Sequence, residues 1–300
     1  MEKIIYSTVM YPSKNFDIFI HDYLDSVFNQ TYIEFELLIV VDGIDVDLVQ
    51  RYIDKTNKNK IKVHIRKYEE NFTPIELRKK LIDISYELDA DILIFSDFDE
   101  NVITNRVEEI VKKINNYDFA FNDFYIVDSK LKKLDEKSFF QTRDIPVEVK
   151  NWKDIKSSNY IGFGSLAINL NSFNYKDLVF PYDIKALDWY IATYVLLHNG
   201  NGIKLDKTYA NYRQHESSFV GFNFELDTVK LEQGIDIKLS HYKHFKEYNS
   251  DFKDLYNEIK ELKKHIEKIG SEKYIEIVNN KFDTSKLCWW ENIKTKKELK

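Results

Sequence analysis

Two hydrophobic periods alternate along this chain, and their alternation predicts its architecture. Ile4-Ile5-Tyr6-Ser7-Thr8-Val9-Met10-Tyr11 reads as a first strand, left through the loop Pro12-Ser13-Lys14-Asn15. From Phe16 the spacing turns helical, with Phe16, Ile20, Tyr23, Leu24 and Val27 on one face. Glu36-Leu37-Leu38-Ile39-Val40-Val41 is a second strand, stopping at Asp42-Gly43. A helix around Asp47 to Lys55 and a strand from Ile61 to Ile65 follow. Thr73-Pro74-Ile75-Glu76 is a capping box with proline at the first helical position, and it opens a helix with Leu77, Leu81, Ile84 and Leu88 inward. Ile92 to Phe95 is an uninterrupted apolar run, as in a strand buried on both faces. The order predicts an α/β fold with a mostly parallel sheet flanked by helices.

Further on, Val107, Ile110, Val111 and Ile114 mark another amphipathic helix, and Phe119 to Val127 another strand. Residues 130–160 mix charged and aromatic residues without a clean period and read as irregular. Leu187, Ile191, Tyr194 and Val195 give a helical face, with Gly200 as its stop. From about Phe224 charged residues interleave with apolar ones and no strand-like run recurs. This predicts a helical C-terminal extension, with Tyr256, Ile259, Leu262 and Ile266 on its buried side. The expected division is therefore 1–222 and 223–300. No internal repeat or low-complexity linker interrupts it.

Composition narrows the function classes. A hydrophobic fraction of 43% with 15% aromatics supports a packed core and excludes a disordered chain. The 44 Lys and Arg against 50 Asp and Glu leave a net charge of −6, which argues against a general nucleic-acid binder. Cys288 is the only cysteine, so an intramolecular disulfide and a cysteine metal site are both excluded. No apolar run approaches the ~20 residues that cross a bilayer, and the N-terminus lacks the pattern of a signal peptide. A cytoplasmic protein is expected. Trp289-Trp290 beside a lysine-rich tail reads either as an aromatic anchor on the body or as a peripheral docking point on the inner face of a membrane.

The candidate chemistry begins where the buried run at Phe95 ends in Asp97-Phe98-Asp99-Glu100. Three carboxylates at a strand exit repel one another and lose hydration unless a cation compensates. Mn²⁺ or Mg²⁺ suits carboxylate oxygens and bridges to phosphates, and ligands of open α/β sheets bind beyond the strands' carboxyl ends. The alternative is that Asp97 and Asp99 only form a turn and cap the next helix. Arg78, one turn into its helix, points either toward Asp97 or to a surface acid such as Glu76. Gly162-Phe163-Gly164-Ser165 gives a close backbone approach or a bend. Asp188 lies in the opening turn of a helix, where its charge also suits the helix dipole. Tyr212-Arg213-Gln214-His215 is rich in donors for sugars or phosphates.

Together these motifs resemble glycosyltransferase family 2, over roughly residues 3–220. Tyr23-Leu24-Asp25-Ser26-Val27-Phe28-Asn29-Gln30-Thr31-Tyr32 is similar to the family's S-V-x-x-Q-T-Y helix end, and Phe35 to Gly43 to its F-E-x-I-V-V-D-D-G strand. Leu77-Arg78-Lys79 stands where the family has A-R-N, and Asp97-Phe98-Asp99 where it has D-x-D. Leu187-Asp188-Trp189 stands for its E-D, and Tyr212-Arg213-Gln214-His215 for its Y-R-x-H. Val41 replaces the first aspartate of D-D-G, Leu187 replaces the glutamate of E-D, and no Q-x-x-R-W follows.

The resemblance implies a GT-A fold and an inverting, metal-dependent transfer of one sugar from a nucleotide sugar, a UDP-sugar foremost. The acceptor would be a hydroxyl on a glycan, a lipid-linked or a protein acceptor, in bacterial surface-glycan assembly. It implies Asp97 and Asp99 as metal ligands; Thr8, Tyr11, Asp42, Arg78 and Asp97 at the nucleotide sugar; and Asp188 as the catalytic base. Gly164, Trp189, Arg213 and His215 are then candidates for acceptor or diphosphate contacts. Self-association is a further expectation for the C-terminal region. Two rival readings are a sugar nucleotidyltransferase and a non-catalytic nucleotide- or sugar-binding protein of the same fold.

Overall fold

The computed structural model describes residues 2–69, 72–214, 226–282 and 289–299. Two compact units are present: Met1–Phe180 with Ile191–Glu216, and Pro181–Tyr190 with Ser217–Lys300. Pro181–Tyr190 thus groups with the C-terminal residues, a discontinuity that a single cut near residue 222 does not contain.

The first unit is built on a nine-stranded sheet. Its strands are β1 (Ile4–Met10), β2 (Glu36–Asp42), β3 (Lys62–Tyr68), β4 (Ile92–Phe95), β5 (Asn101–Val102), β6 (Phe119–Val127), β7 (Glu148–Val149), β8 (Leu166–Asn169) and β9 (Gly202–Arg213). They run in the order β3-β2-β1-β4-β8-β6-β9-β5, with β7 also on β9. The expected parallel pairing holds over β3, β2, β1 and β4 and again between β6 and β9. Around β8, and where β5 and β7 meet β9, the pairs are antiparallel, so the sheet is mixed. A four-residue β8, reached through the irregular 130–160 stretch, has no helical crossover to impose parallel direction. The apolar runs are buried on both faces: Leu37 to Val41 and Leu93 to Phe95 are wholly inaccessible. Each such side chain stabilises the fold by roughly 1.5–3 kcal/mol.

Helices α1 (Phe16–Phe28), α2 (Val46–Thr56), α3 (Pro74–Glu87) and α4 (Arg106–Lys113) lie between the strands. The capping box of α3 forms as the sequence requires: Thr73 Oγ1 accepts from the Glu76 N–H, and the Glu76 carboxylate accepts from the Thr73 N–H at 2.7 Å. Gln30, just past α1, is buried. Its amide donates to the carbonyls of Ser26 and Ile103 and accepts from the Val107 N–H, so one side chain closes α1 and opens α4. This is a structural reason for glutamine in the S-V-x-x-Q-T-Y stretch.

Helix α5 (Leu187–Leu197) carries the division between the units. Its stop is made by Asn199 at φ 63°, not by Gly200. Gly200 is needed for space, since a Cβ there would sit 2.4 Å from Val195 Cγ1. The second unit continues in α6 (Thr228–Phe245), α7 (Ser250–Ile269) and α8 (Ser271–Lys281). On α7 the inward residues are Phe252, Ile259, Leu262 and Ile266, with Tyr256 half-buried at the edge of that stripe. The Trp289–Asn292 turn is followed by buried Ile293, whose carbonyl accepts from Lys238 Nζ of α6 at 3.4 Å. The Trp289 side chain and Cys288 lie outside the described residues.

Candidate active site

The first unit gathers its chemistry at the carboxyl ends of β2, β1 and β4, which are neighbours in the sheet. Beyond β4 the chain turns sharply, the Glu100 N–H donating to the Asp97 carbonyl at 3.1 Å. Phe98 fixes that turn from below. It is fully buried and meets Tyr11 edge-on at 4.8 Å, with Phe16 and Phe19 beyond. An apolar residue anchored between two acids leaves Asp97 and Asp99 half-exposed on the turn while Glu100 is buried. The anchored Phe98 accounts for the D-x-D spacing: the middle residue binds the turn to the core and the outer two remain reachable.

Arg78 reaches this turn and does not pair with Glu76. Its Nη2 donates to Asp97 Oδ1 at 3.2 Å, and its guanidinium lies 4.1 Å over the Phe163 ring, which packs 4.5 Å from Phe95. Capping by Thr73 sets where α3 begins and so places Arg78 at that height. Gly164 is the next residue along. A Cβ on it would fall 2.5 Å from Glu100 Oε2, so any larger residue would have to displace the buried carboxylate.

Burial pushes the Asp97 carboxyl up; Arg78 opposes this and the Asp99 charge adds to it. Glu100 is raised well above the ordinary carboxylate range, first by burial and then by Asp97 and Asp99. The same acids, after burial, raise the hydroxyls of Tyr11 and Tyr212. The turn is therefore a locus of excess negative potential.

Among the described residues no three His, Cys, Asp or Glu side chains are disposed to hold a metal by themselves. Magnesium-like ions, however, are commonly held by one or two carboxylates together with substrate phosphates. Asp97 and Asp99, half-exposed hard oxygen donors backed by an excess of negative charge, fit such an ion.

On the neighbouring strands, Asp42 closes β2, half-buried, and Gly43 follows at φ 66° with Pro12 against it. Tyr11 meets Phe98 edge-on and is 43% exposed as a residue. Thr8 is different: it is fully buried within β1, opposite Ile39, and presents no surface. Arg213 is also buried. It donates to Asp22 Oδ2 at 2.6 Å and the Ser129 carbonyl at 3.2 Å, with its guanidinium 4.8 Å over Phe19. That ties β9 to α1. His215 lies outside the described residues.

In the second unit Asp188 stands in the first turn of α5, half-buried, its Oδ1 accepting from the Trp189 N–H at 2.7 Å. Trp189 is buried and stacks flat on the wholly buried His241, with centroids 3.7 Å apart. Burial, with His244 adding, holds that imidazole well below its usual pKa, so it is neutral. Asp183 is engaged by Lys243 Nζ at 2.8 Å and His244 Nε2 at 2.6 Å. Burial works to raise its carboxyl, but these partners win and the net shift is downward.

Phe98, Phe163 and Tyr212 belong to the site's surroundings and stood in the sequence only as members of motifs, without roles of their own, and Arg106 was not singled out there at all. Arg106 had a visible signal: it falls four residues before Ile110, on the apolar stripe of α4, where a solvated arginine would not sit.

Residues 8–170 match the family described as Glycosyl transferase family 2. No curated protein sequence matches the chain. Among solved structures, it is similar to the mannosyltransferase PcManGT from Pyrobaculum calidifontis, in complex with GDP-Man and Mn²⁺, at 12% identity and TM-score 0.52 over 81% of this chain and 63% of that one. Residues 1–349 of S. aureus TarS with UDP-GlcNAc share 17% identity at TM-score 0.51, covering 80% and 66% of the two chains. GalNAc-T7 with UDP, GalNAc and Mn²⁺ shares 12% identity at TM-score 0.59, covering 89% and 54%. The chain thus spans less than two thirds of each of these three. At such identities the likeness is one of fold, and that fold is GT-A. With the family match extending over more than half of its length, the chain belongs to glycosyl transferase family 2.

Proposed function

We propose that the chain is a metal-dependent glycosyltransferase moving one sugar from a nucleoside-diphosphate sugar, a UDP-sugar foremost, to an acceptor hydroxyl with inversion. The observation that carries this reading is the acidic turn Asp97–Glu100 at the carboxyl end of β4, with Arg78 on it and the ends of β1 and β2 beside it. A divalent cation, Mn²⁺ or Mg²⁺, held by Asp97 and Asp99 would neutralise the charge that builds on the departing diphosphate. Arg78 places a second positive group beside the phosphates. Tyr11 and Asp42 are assigned to the nucleoside, with Thr8 supporting them from inside β1. Asp188, by its place in the E-D motif, is assigned as general base. It takes the proton of the acceptor hydroxyl as that oxygen bonds to the anomeric carbon, while the bond from that carbon to the diphosphate oxygen breaks. Attack opposite the leaving group inverts the centre.

The acceptor is assigned to a glycan, lipid-linked or protein hydroxyl in bacterial surface-glycan assembly, at the inner face of the membrane. Catalysis is assigned to residues 1–222, and acceptor selection or self-association to 223–300. Gly164 serves the acidic turn by admitting Glu100; Trp189 and Arg213, both buried, support their surroundings; His215 remains a candidate for an acceptor or diphosphate contact. No helix of the described residues is long and apolar enough to cross a membrane.

A thermal-shift panel of nucleotide sugars with and without Mn²⁺ tests the proposal. Ligand at a hundredfold excess over Kd stabilises the folded state by about 2.7 kcal/mol. A cognate donor should raise the melting temperature only when the metal is present. A panel of UDP-, GDP- and dTDP-sugars that leaves it unmoved with Mn²⁺ would overturn the reading.

A further inference from the structure

Behind the acidic turn lies a buried cation that the proposed chemistry does not use. Arg106, the first residue of α4, is 0% exposed. Its guanidinium donates in three directions: Nε to Asn122 Oδ1 at 2.9 Å, Nη1 to the Tyr6 hydroxyl at 2.9 Å, and Nη2 to the Phe95 carbonyl at 3.0 Å. These acceptors belong to β6, β1 and β4. None is a carboxylate. A buried arginine hydrogen-bonded only to neutral acceptors is expensive, several kcal/mol against an apolar side chain of similar volume. A stability argument alone therefore gives no reason for it.

Its place supplies one. Phe95 is the last residue of β4, and its carbonyl opens the peptide that leads through Ser96 to Asp97. Ser96 is itself held from the same side, its hydroxyl donating to the Ser7 carbonyl at 2.8 Å and lying 2.7 Å from the Tyr23 hydroxyl. The Phe95 carbonyl and the Ser96 N–H and hydroxyl are therefore pinned before the first acid, while Phe98 pins the turn's centre. The positive charge of Arg106 is also felt by both Asp97 and Glu100, opposing their upward shifts.

We infer that Arg106, with Tyr6, is a positioning residue for the metal–diphosphate site: its fork fixes the end of β4 so that Asp97 and Asp99 are held ready for the cation. The inference rests on the metal reading of those two aspartates. Lysine cannot replace arginine in this role, because one ammonium cannot satisfy three acceptors set in a planar fork. Removing a partner that orients a metal ligand typically weakens metal binding about 10–100-fold.

The test titrates Mn²⁺ into the full chain, with and without UDP, and reads free Mn²⁺ by electron paramagnetic resonance against a protein-free blank. Arg106→Lys, which keeps the charge and loses the fork, should raise the Mn²⁺ dissociation constant about 10–100-fold at a temperature where the variant is fully folded. Tyr6→Phe keeps the ring, loses one acceptor, and should raise it severalfold; it decides the matter if Arg106→Lys does not fold. A purely structural role would lower the melting temperature of both variants and leave the dissociation constant unchanged, and that result overturns the inference. Wild-type protein that binds no Mn²⁺ in either condition fails differently: it overturns the metal reading itself, and this inference with it.

Discussion

The three acids of one turn have three different tasks, set by what each side chain touches. Asp97 is tied to Arg78, Asp99 is half-exposed, and Glu100 is packed on Gly164. Asp99→Ala should therefore keep the fold, because it removes no buried group, and should abolish both transfer and the stabilisation that donor and Mn²⁺ give together. Persistence of that stabilisation in the variant would exclude Asp99 as a ligand. Asp188 admits a sharper comparison. Asparagine serves a helix N-terminus about as well as aspartate, so Asp188→Asn is nearly silent if the residue only serves the helix. A general base contributes ~10²–10⁴ in rate. The variant should retain donor affinity and melting temperature while kcat falls by about that factor. Equal kcat, with chemistry shown to be rate-limiting, would move the role to another residue. Asp183 is a poor substitute, because Lys243 and His244 already hold its carboxylate.

At the scale of elements, two side chains decide how the site's supports meet. Gln30 satisfies groups from α1, the segment before α4, and α4 itself. Gln30→Ala leaves at least one of these buried without a partner, at about 1–3 kcal/mol, and chemical denaturation should report that loss. Phe98 anchors the acidic turn against α1 and Tyr11. Phe98→Ala removes a wholly buried ring, a change that costs ~3–5 kcal/mol in well-packed cores. It should also weaken metal-dependent donor binding, because the turn then has no fixed centre. Unchanged donor affinity in a folded Phe98→Ala protein would separate the anchor from the site.

At the scale of the whole molecule, the segment that carries Asp188 belongs to the C-terminal unit. Ser240 Oγ donates to the Asp183 carbonyl at 2.7 Å, His241 stacks on Trp189, and Phe245 stacks on Tyr190 at 5.0 Å. Helix α6 thus grips residues 183–190 through side chains of Ser240 to Phe245, fewer than two of its turns. The grip carries a pH signature. His241 is held neutral in the folded chain, whereas in the unfolded chain it protonates below about pH 6.5. Below that pH the unfolded state binds the extra proton, so stability falls with acidification, by up to ~1.4 kcal/mol per pH unit, and is fully present above it. His241→Phe keeps the stack and removes the proton. The difference in unfolding free energy between wild type and variant should vary from pH 7.5 to 5.5 and be flat above; a pH-independent difference would mean the imidazole titrates normally.

Much of this was legible in the linear order of residues, because it depends on neighbours in sequence. Apolar runs of four to six residues gave the buried strands, the capping box gave the start of α3, and Asp97-Phe98-Asp99 at the end of such a run gave the acidic turn. Local chemistry fixes each of these before any long-range contact forms. The tertiary structure alone decided the rest. Arg78 had two partners within reach, and only the packing of Phe163 beneath its guanidinium and the position of Asp97 chose between them. Thr8 and Arg213 carry suitable chemistry, yet β-sheet burial and an ion pair with Asp22 turn both inward. The direction of β8 and the membership of Pro181–Tyr190 in the C-terminal unit depend on pairings across many residues. Arg106 is the clearest case: three acceptors from three strands meet around it, and no spacing along the chain encodes that meeting.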